Sequence, residues 1–444
     1  MLIIPESRML PHQLFLLNNQ KQDPIYRNFA KDIMKTFNVP VAYRSPLVSA
    51  IKNRRKKEDR MKKDFSPTLL HLGPLEIYLA RHFGFCYGVE NAIEISFRTI
   101  EENKGKRIFL LSEMIHNPQV NADLQSQGVQ FLQDTYGKQL LPFEILTSED
   151  IVIIPAFGTT LDIEKKLDSL GIPTEKYNTT CPFVEKVWNR GDQIAEKGYS
   201  IIIHGKPKHE ETRATFSHAA SQAPSLIVMD MKETESLAEY IRGGKPTSEF
   251  YTEFAGRYSE GFDASIHLTR IGVINQTTQL ATDTQAIADY LKQTMITYFG
   301  LTENNVGEHF ADTRDTLCYA TNDNQTAVSG MLNTATDLAI VMGGYNSSNT
   351  THLVELCEEK LPAYFINTED NLLSKKDILH YNFHTKQQLN STGYLPSKEP
   401  VRILLTSGAS CPDAVVERVI RKLSSFFGVE EQIEFLIKQF ESHN

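Results

Sequence analysis

Residues 200–212 read Ser-Ile-Ile-Ile-His-Gly-Lys-Pro-Lys-His-Glu-Glu-Thr, and this stretch decides the fold. A short apolar, β-branched run ends at His204 and reads as a strand. A polar loop with Gly205 and Pro207 breaks it, and a helical pattern follows. The same succession of apolar strand, small polar loop and helix recurs before Thr160, Thr278, Ser348 and Ser410. No short repeat by residue identity accompanies it. Several α/β units that present their carboxyl-end loops to one cleft explain the echo.

Working outward, further strands are expected over Leu75 to Ala80, Arg107 to Leu111, Ile151 to Pro155, Leu226 to Met229, Ile271 to Asn275, Leu338 to Met342 and Val401 to Thr406. Glu90 to Lys104 and Glu185 to Lys197 read as helices. The aromatic and Gly-rich segment 241–268 reads as an insertion or irregular loop. Residues 1 to about 70 read as a leader with partial structure, helical over Pro24 to Lys35. Within it, Lys52 to Lys63 holds eight basic and two acidic residues, a local charge of +6. That run reads as a solvated helix or linker. A compositional break at Ser66-Pro67 marks the start of the main body.

The chain has 444 residues, 41% hydrophobic and 23% charged, with a formal net charge of -9. That length allows two or three domains beyond the leader. The acidic balance supplies no global basic field for a nucleic acid. No apolar run is long enough to read as a membrane span. Glu6 and the order of the first residues do not suit a secretory signal, so a cytoplasmic location is expected, with a plastid as the alternative. Five cysteines in such a length form no disulfide framework, and a reducing compartment leaves some free for metal.

Three of the five cysteines stand in loop or element-edge settings. Cys86 lies in Gly84-Phe85-Cys86-Tyr87-Gly88, Cys181 in Asn178-Thr179-Thr180-Cys181-Pro182, and Cys318 in Thr316-Leu317-Cys318-Tyr319-Ala320. Backbone donors and the dipole at a helix N-terminus would stabilise their thiolates. Without a Cys-x-x-Cys spacing, the pattern leaves open both unrelated buried cysteines and a three-thiolate site, for zinc or an iron–sulfur cluster. Three thiolates on a four-iron cluster would leave one iron free for a substrate oxygen. Cys357 follows Leu353 and Val354 on a helical pattern and reads as a core thiol; Cys411, beside Pro412, reads as a bystander.

The polar loops supply the remaining candidates. His116-Asn117 follows a strand. His209 can donate to a phosphate or alkoxide, and Glu211 can deliver a proton. Asn275-Gln276-Thr277-Thr278, Asn346-Ser347-Ser348-Asn349-Thr350 and Thr406-Ser407-Gly408-Ala409-Ser410 each follow an apolar strand. Each can cap a helix or line an anion pocket, and Gly343-Gly344 allows a close backbone approach before the second. No Walker or dinucleotide motif accompanies them.

Phe85-Cys86-Tyr87-Gly88-Val89, Thr180-Cys181-Pro182 and Cys318-Tyr319-Ala320-Thr321, with the long stretches Arg314 to Gln325 and Gly343 to Thr350, resemble the 4-hydroxy-3-methylbut-2-enyl diphosphate reductases (the IspH/LytB family). The resemblance runs from about Ile77 to Ile420. His204 to Thr215, with Trp188-Asn189, is most similar to the plant and cyanobacterial branch. It implies a trefoil-like assembly of three α/β domains around one [4Fe–4S] cluster held by Cys86, Cys181 and Cys318. The implied divisions are an extension over 1–70, domains over 71–180, 181–316 and 317–425, and a tail over 426–444.

By the same resemblance, His116, His209, Thr277, Ser347, Ser348, Asn349 and Ser410 contact the substrate, and Glu211 feeds the proton relay. The implied reaction is two-electron removal of the hydroxyl from (E)-4-hydroxy-3-methylbut-2-enyl diphosphate, giving isopentenyl and dimethylallyl diphosphate. A ferredoxin or flavodoxin donor and a monomer or weak homodimer go with it. A non-redox hydro-lyase and a cluster- or zinc-binding regulator are the alternatives. Two positions depart from the pattern: Phe157 stands where many members have His, and Cys411 replaces a small or hydroxyl residue.

Overall fold

The computed structural model describes residues 37–61, 63–311 and 316–442, and those from Pro40 onward belong to one compact unit. The helical reading of Pro24 to Lys35 lies outside the described residues.

Strands β1 (Thr68–Leu72) and β2 (Leu75–Leu79) form an antiparallel hairpin. Its two-residue turn uses the positive φ of Gly73, +67°. Along β1 burial alternates, so Leu69 and His71 face water, as suits an edge strand with one dry face. Next come β3 (Ile108–Leu110), β4 (Gln130–Phe131) and β5 (Ile151–Ile153), a parallel sheet of order β4-β3-β5. A second parallel sheet has order β7-β6-β8, from β6 (Ser200–His204), β7 (Ser225–Val228) and β8 (Ile271–Asn275).

The last strands are β9 (Leu338–Met342), β10 (Ala363–Ile366), the hairpin β11 (Asp377–Asn382) and β12 (Gln387–Thr392), and β13 (Val401–Ser407). Strands β9, β10 and β13 complete a five-stranded sheet of order β1-β2-β13-β9-β10, parallel except at β1, while β11 and β12 form a two-stranded sheet of their own. The largest sheet therefore takes strands from both ends of the main body. Strands β6, β8 and β9 are buried at every position. That is why they read as unbroken apolar runs instead of alternating ones. The class is α/β, with three sheet units in the trefoil-like arrangement expected.

The segment 241–268 is a correction to the sequence reading. It forms helices Thr247–Glu253 and Ala264–His267, and Phe250, Phe254 and Phe262 are buried against β7 and β8 residues in one core. Phe250 and Phe254 are four residues apart and share a helical face, with ring centroids 5.0 Å apart.

The basic run continues a helix, Pro46–Glu58, with a dry face made by Leu47, Val48, Ala50 and Ile51. Ser45 caps it by accepting from Val48 N at 2.9 Å. The hydroxyl of Ser45 also binds Glu417, and Leu47 N donates to the same carboxylate at 3.2 Å. This helix packs against Gln432–Ser442 and Asp413–Ser425, so part of the leader is built into the main body. No helix among the described residues is long and apolar enough to cross a membrane.

Candidate active site

The loops after β3, β6, β8, β9 and β13 carry His116, His209 with Glu211, Thr277, Ser347 to Asn349, and Ser410, at the carboxyl ends of strands, the usual place for a site in α/β sheets. Cys86 is the N-cap of helix Tyr87–Glu102, Cys181 of Pro182–Ala195 and Cys318 of Tyr319–Met331. The three helix N-termini bring backbone N–H groups to three sulfurs: Cys318 Sγ accepts from Thr321 N at 3.2 Å, with Thr321 Oγ1 at 3.0 Å. A Cβ added at Gly88 would stand 2.5 Å from Cys181 Sγ, so only glycine lets the Cys86 helix approach Cys181 this closely.

Burial pushes all three thiols up, and the charges of neighbouring cysteines add to this for two of them. Cys181 is raised well above its ordinary value by burial, then by Cys86, Cys318 and Glu211. Cys318 rises to about 12 by burial and then Cys86, against the Thr321 donors. Burial raises Cys86 against the donors of Val89 and Gly88. All three residues keep partial exposure, whereas Cys357 and Cys411 are fully buried in the core of the five-stranded sheet.

Facing the cysteines, the polar loops are joined by direct bonds. Cys86 N donates to Ala409 O at 3.2 Å. Ala409 N in turn donates to Asn349 Oδ1 at 3.0 Å. Ser410 Oγ donates to His116 O at 3.1 Å. A Cβ at Gly344 would meet that same carbonyl at 2.2 Å. Ser347 caps helix Ser348–Glu358, accepting from Thr350 N at 3.3 Å, and Ser348 Oγ accepts from Gln276 Nε2 at 3.4 Å. Among the described residues, Asn349 Nδ2 is a buried donor with no partner. Leaving such a group unsatisfied costs about 1–3 kcal/mol, so it marks a place for an acceptor from outside the chain.

His209 caps helix Glu210–Gln222, its Nδ1 accepting from Glu211 N at 3.2 Å. Nδ1 therefore carries no proton, and the neutral ring presents Nε2–H. Burial, then His116, Lys206 and Arg213, hold His209 well below the usual histidine value. Glu211 is fully buried, and burial raises its carboxyl to about 7 against donation from Thr277. Thr277 N donates to Glu211 Oε1 at 2.5 Å, while Thr277 O accepts from Cys318 N at 3.2 Å. One residue thus ties the acid to a cysteine loop.

Phe157 fills the space beside both imidazoles, with centroids 4.4 Å from His116 and 5.5 Å from His209. Phe157 thus puts an apolar ring, and no further ionisable group, beside the two histidines. Glu210 and Ser112 were not foreseen as site residues. Glu210 Oε2 lies 2.9 Å from His116 Nε2, and its other oxygen accepts from Ser112. The signal was present, since both residues stand in the loops that hold His116 and His209. Gln276 was read only as part of its polar loop, and it joins Lys206, Thr212 and Ser348.

Comparison with known proteins adds to this geometry. The family model described as LytB protein matches residues 77–424. The 4-hydroxy-3-methylbut-2-enyl diphosphate reductase of Picosynechococcus sp. is 40% identical over 352 residues, 79% of this chain and 84% of that one. The enzyme of the same name from Gloeobacter violaceus is 36% identical over 387 residues, 84% and 91% of the two chains. Among solved structures, an E-1-hydroxy-2-methyl-but-2-enyl-4-diphosphate reductase from Plasmodium falciparum has a TM-score of 0.56 at 22% identity. That match covers 82% of this chain and 98% of the other, a likeness of fold.

Proposed function

The chain belongs to the LytB family, and on that premise we propose how its residues carry out reductive dehydroxylation of (E)-4-hydroxy-3-methylbut-2-enyl diphosphate to isopentenyl and dimethylallyl diphosphate. Overall, the substrate takes up two electrons and two protons and releases its C4 hydroxyl as water. What supports the reading above all is Thr277, whose N–H holds the Glu211 carboxyl and whose carbonyl holds the Cys318 loop.

Cys86, Cys181 and Cys318 fit the ligand set of one cluster. Each sits at a helix N-terminus, and each is a costly thiolate unless a cationic group offsets the charge. A [4Fe–4S] cluster held by three cysteines would supply one-electron transfer and an iron open to the substrate hydroxyl. A ferredoxin or flavodoxin would deliver the electrons.

The chain supplies orientation and protons. Asn349 Nδ2, the hydroxyls of Ser347, Ser348 and Ser410, and the N-terminus of helix Ser348–Glu358 would receive the diphosphate. His116 and His209 would donate to its oxygens or to the C4 hydroxyl. At neutral pH Glu211 is substantially protonated, since its carboxyl is raised to about 7. It can therefore hand its proton to the departing hydroxyl, which leaves as water. Thr277 keeps the carboxyl aimed. Phe157 keeps bulk water from the two imidazoles and so preserves the neutral His209 donor.

The test is an anaerobic assay with a reduced one-electron donor and the diphosphate substrate, following both products. Turnover that consumes two electrons per product supports the proposal. Conversion that proceeds equally without a reductant would instead mark a hydro-lyase.

A further inference from the structure

Glu210 is a buried carboxylate with no part in proton delivery by Glu211. Only 5% of it is exposed, a setting in which an unpartnered charge is costly. Among the described residues its direct partners are the Ser112 hydroxyl and His116 Nε2. A carboxylate only accepts, so His116 carries its proton on Nε2 in either charge state. Nδ1 is then the ring atom open to an outside ligand. His209 is held in the opposite sense, through Nδ1 by a backbone donor. The two ring centroids are 5.0 Å apart, so two imidazolium charges there would repel, while one charged and one neutral ring would not.

We propose that Glu210, steadied by Ser112, is a positioning residue that fixes the tautomer of His116 and supplies the negative charge that lets Nδ1 take up a proton when a diphosphate binds. This rests on the anion pocket of the proposed function. The pair works within a surrounding set of charges. Glu113 faces both His116 and Glu210 and is itself raised by burial, with Asn346 donating to it at 3.0 Å. Arg213 attracts Glu210 from its own helix. Glu211 faces His116, and Lys206 adds positive charge beside His209. The incoming diphosphate meets its counter-charge at His116, which of the two facing imidazoles is the one bonded to a carboxylate.

The test uses anaerobically purified holoenzyme and inorganic pyrophosphate as probe, with calorimetry in two buffers of different ionisation enthalpy. Wild type should bind with uptake of about one proton near neutral pH. Glu210→Gln keeps the size but removes the charge and leaves one acceptor oxygen where the carboxylate offered two. It should lose most of that proton uptake and weaken binding tenfold or more, and for the substrate KM should rise far more than kcat falls. Ser112→Ala should move in the same direction by less, and gives the same reading should Glu210→Gln fail to fold. Wild-type affinity and proton uptake in both variants would overturn the inference while leaving the anion pocket standing. No pyrophosphate binding by wild type would overturn the pocket and this inference with it.

Discussion

Two loops face each other across the site, and they divide its labour. After β6, residues 205–211 present ionisable side chains, His209 and Glu211, shifted toward neutral forms by burial. After β9, residues 343–350 present hydroxyls and amides, Ser347, Ser348 and Asn349. Each loop spends one side chain on capping its own helix, His209 in the first and Ser347 in the second. The difference teaches that proton chemistry and anion binding can be placed on equivalent backbone frames by changing side-chain type alone. A neutral acid must be dry; an anion grip needs orphan donors.

The sharpest way to break this division is Glu211→Gln. Loss of a general acid costs about 10²–10⁴-fold in turnover, and iron content should stay unchanged. An unaltered kcat would remove Glu211 from proton delivery. Asn349→Ala should act on the other side of the comparison. Losing a hydrogen bond to a charged ligand costs about 1.5–3 kcal/mol, read as a rise in KM with a smaller change in kcat. Equal falls in kcat and kcat/KM would place Asn349 in the transition state rather than in ground-state binding.

The pH dependence comes next. Because burial raises Glu211 to about 7, its acid form is populated below that pH and depleted above it. Turnover should therefore fall as pH rises through about 7, and a steady-state profile of kcat checks it. A profile flat across that range contradicts the acid role. The smallest effect is expected at the caps. Ser347→Ala should lower stability by about 1 kcal/mol, measured by denaturant unfolding of the wild type and variant.

The sequence made this division legible where chemistry is local. β6, β8 and β9 were bounded correctly because central parallel strands are continuous apolar runs. The edge strand β1 was missed, since Leu69 faces water and blurs the alternation. The hairpin of β11 and β12 was missed for a related reason, being largely exposed and polar, Gln387–Thr392 above all. The aromatic segment 241–268 was misread because Gly and Tyr suggest a loop until Phe250, Phe254 and Phe262 find one shared core. The loops holding His116, His209, Glu211 and Asn349 were each visible as polar strand ends. Their mutual contacts were not, because the pairings of Ser410 with His116 and of Glu210 with His116 span 294 and 94 residues. The cysteines show the same limit. Cap positions could be read from Cys181-Pro182, but the fit of Cys181 Sγ against Gly88 is a tertiary fact.

The central claim is that three capping cysteines hold one cluster beside the acid and the anion grip. The most direct measurement is iron and acid-labile sulfide per chain in anaerobically purified protein, taken with turnover, for wild type and Cys181→Ser. The account predicts about four irons and four sulfides in an active wild type, and loss of both the cluster and the products in the variant. A variant that keeps full iron, sulfide and turnover would contradict it.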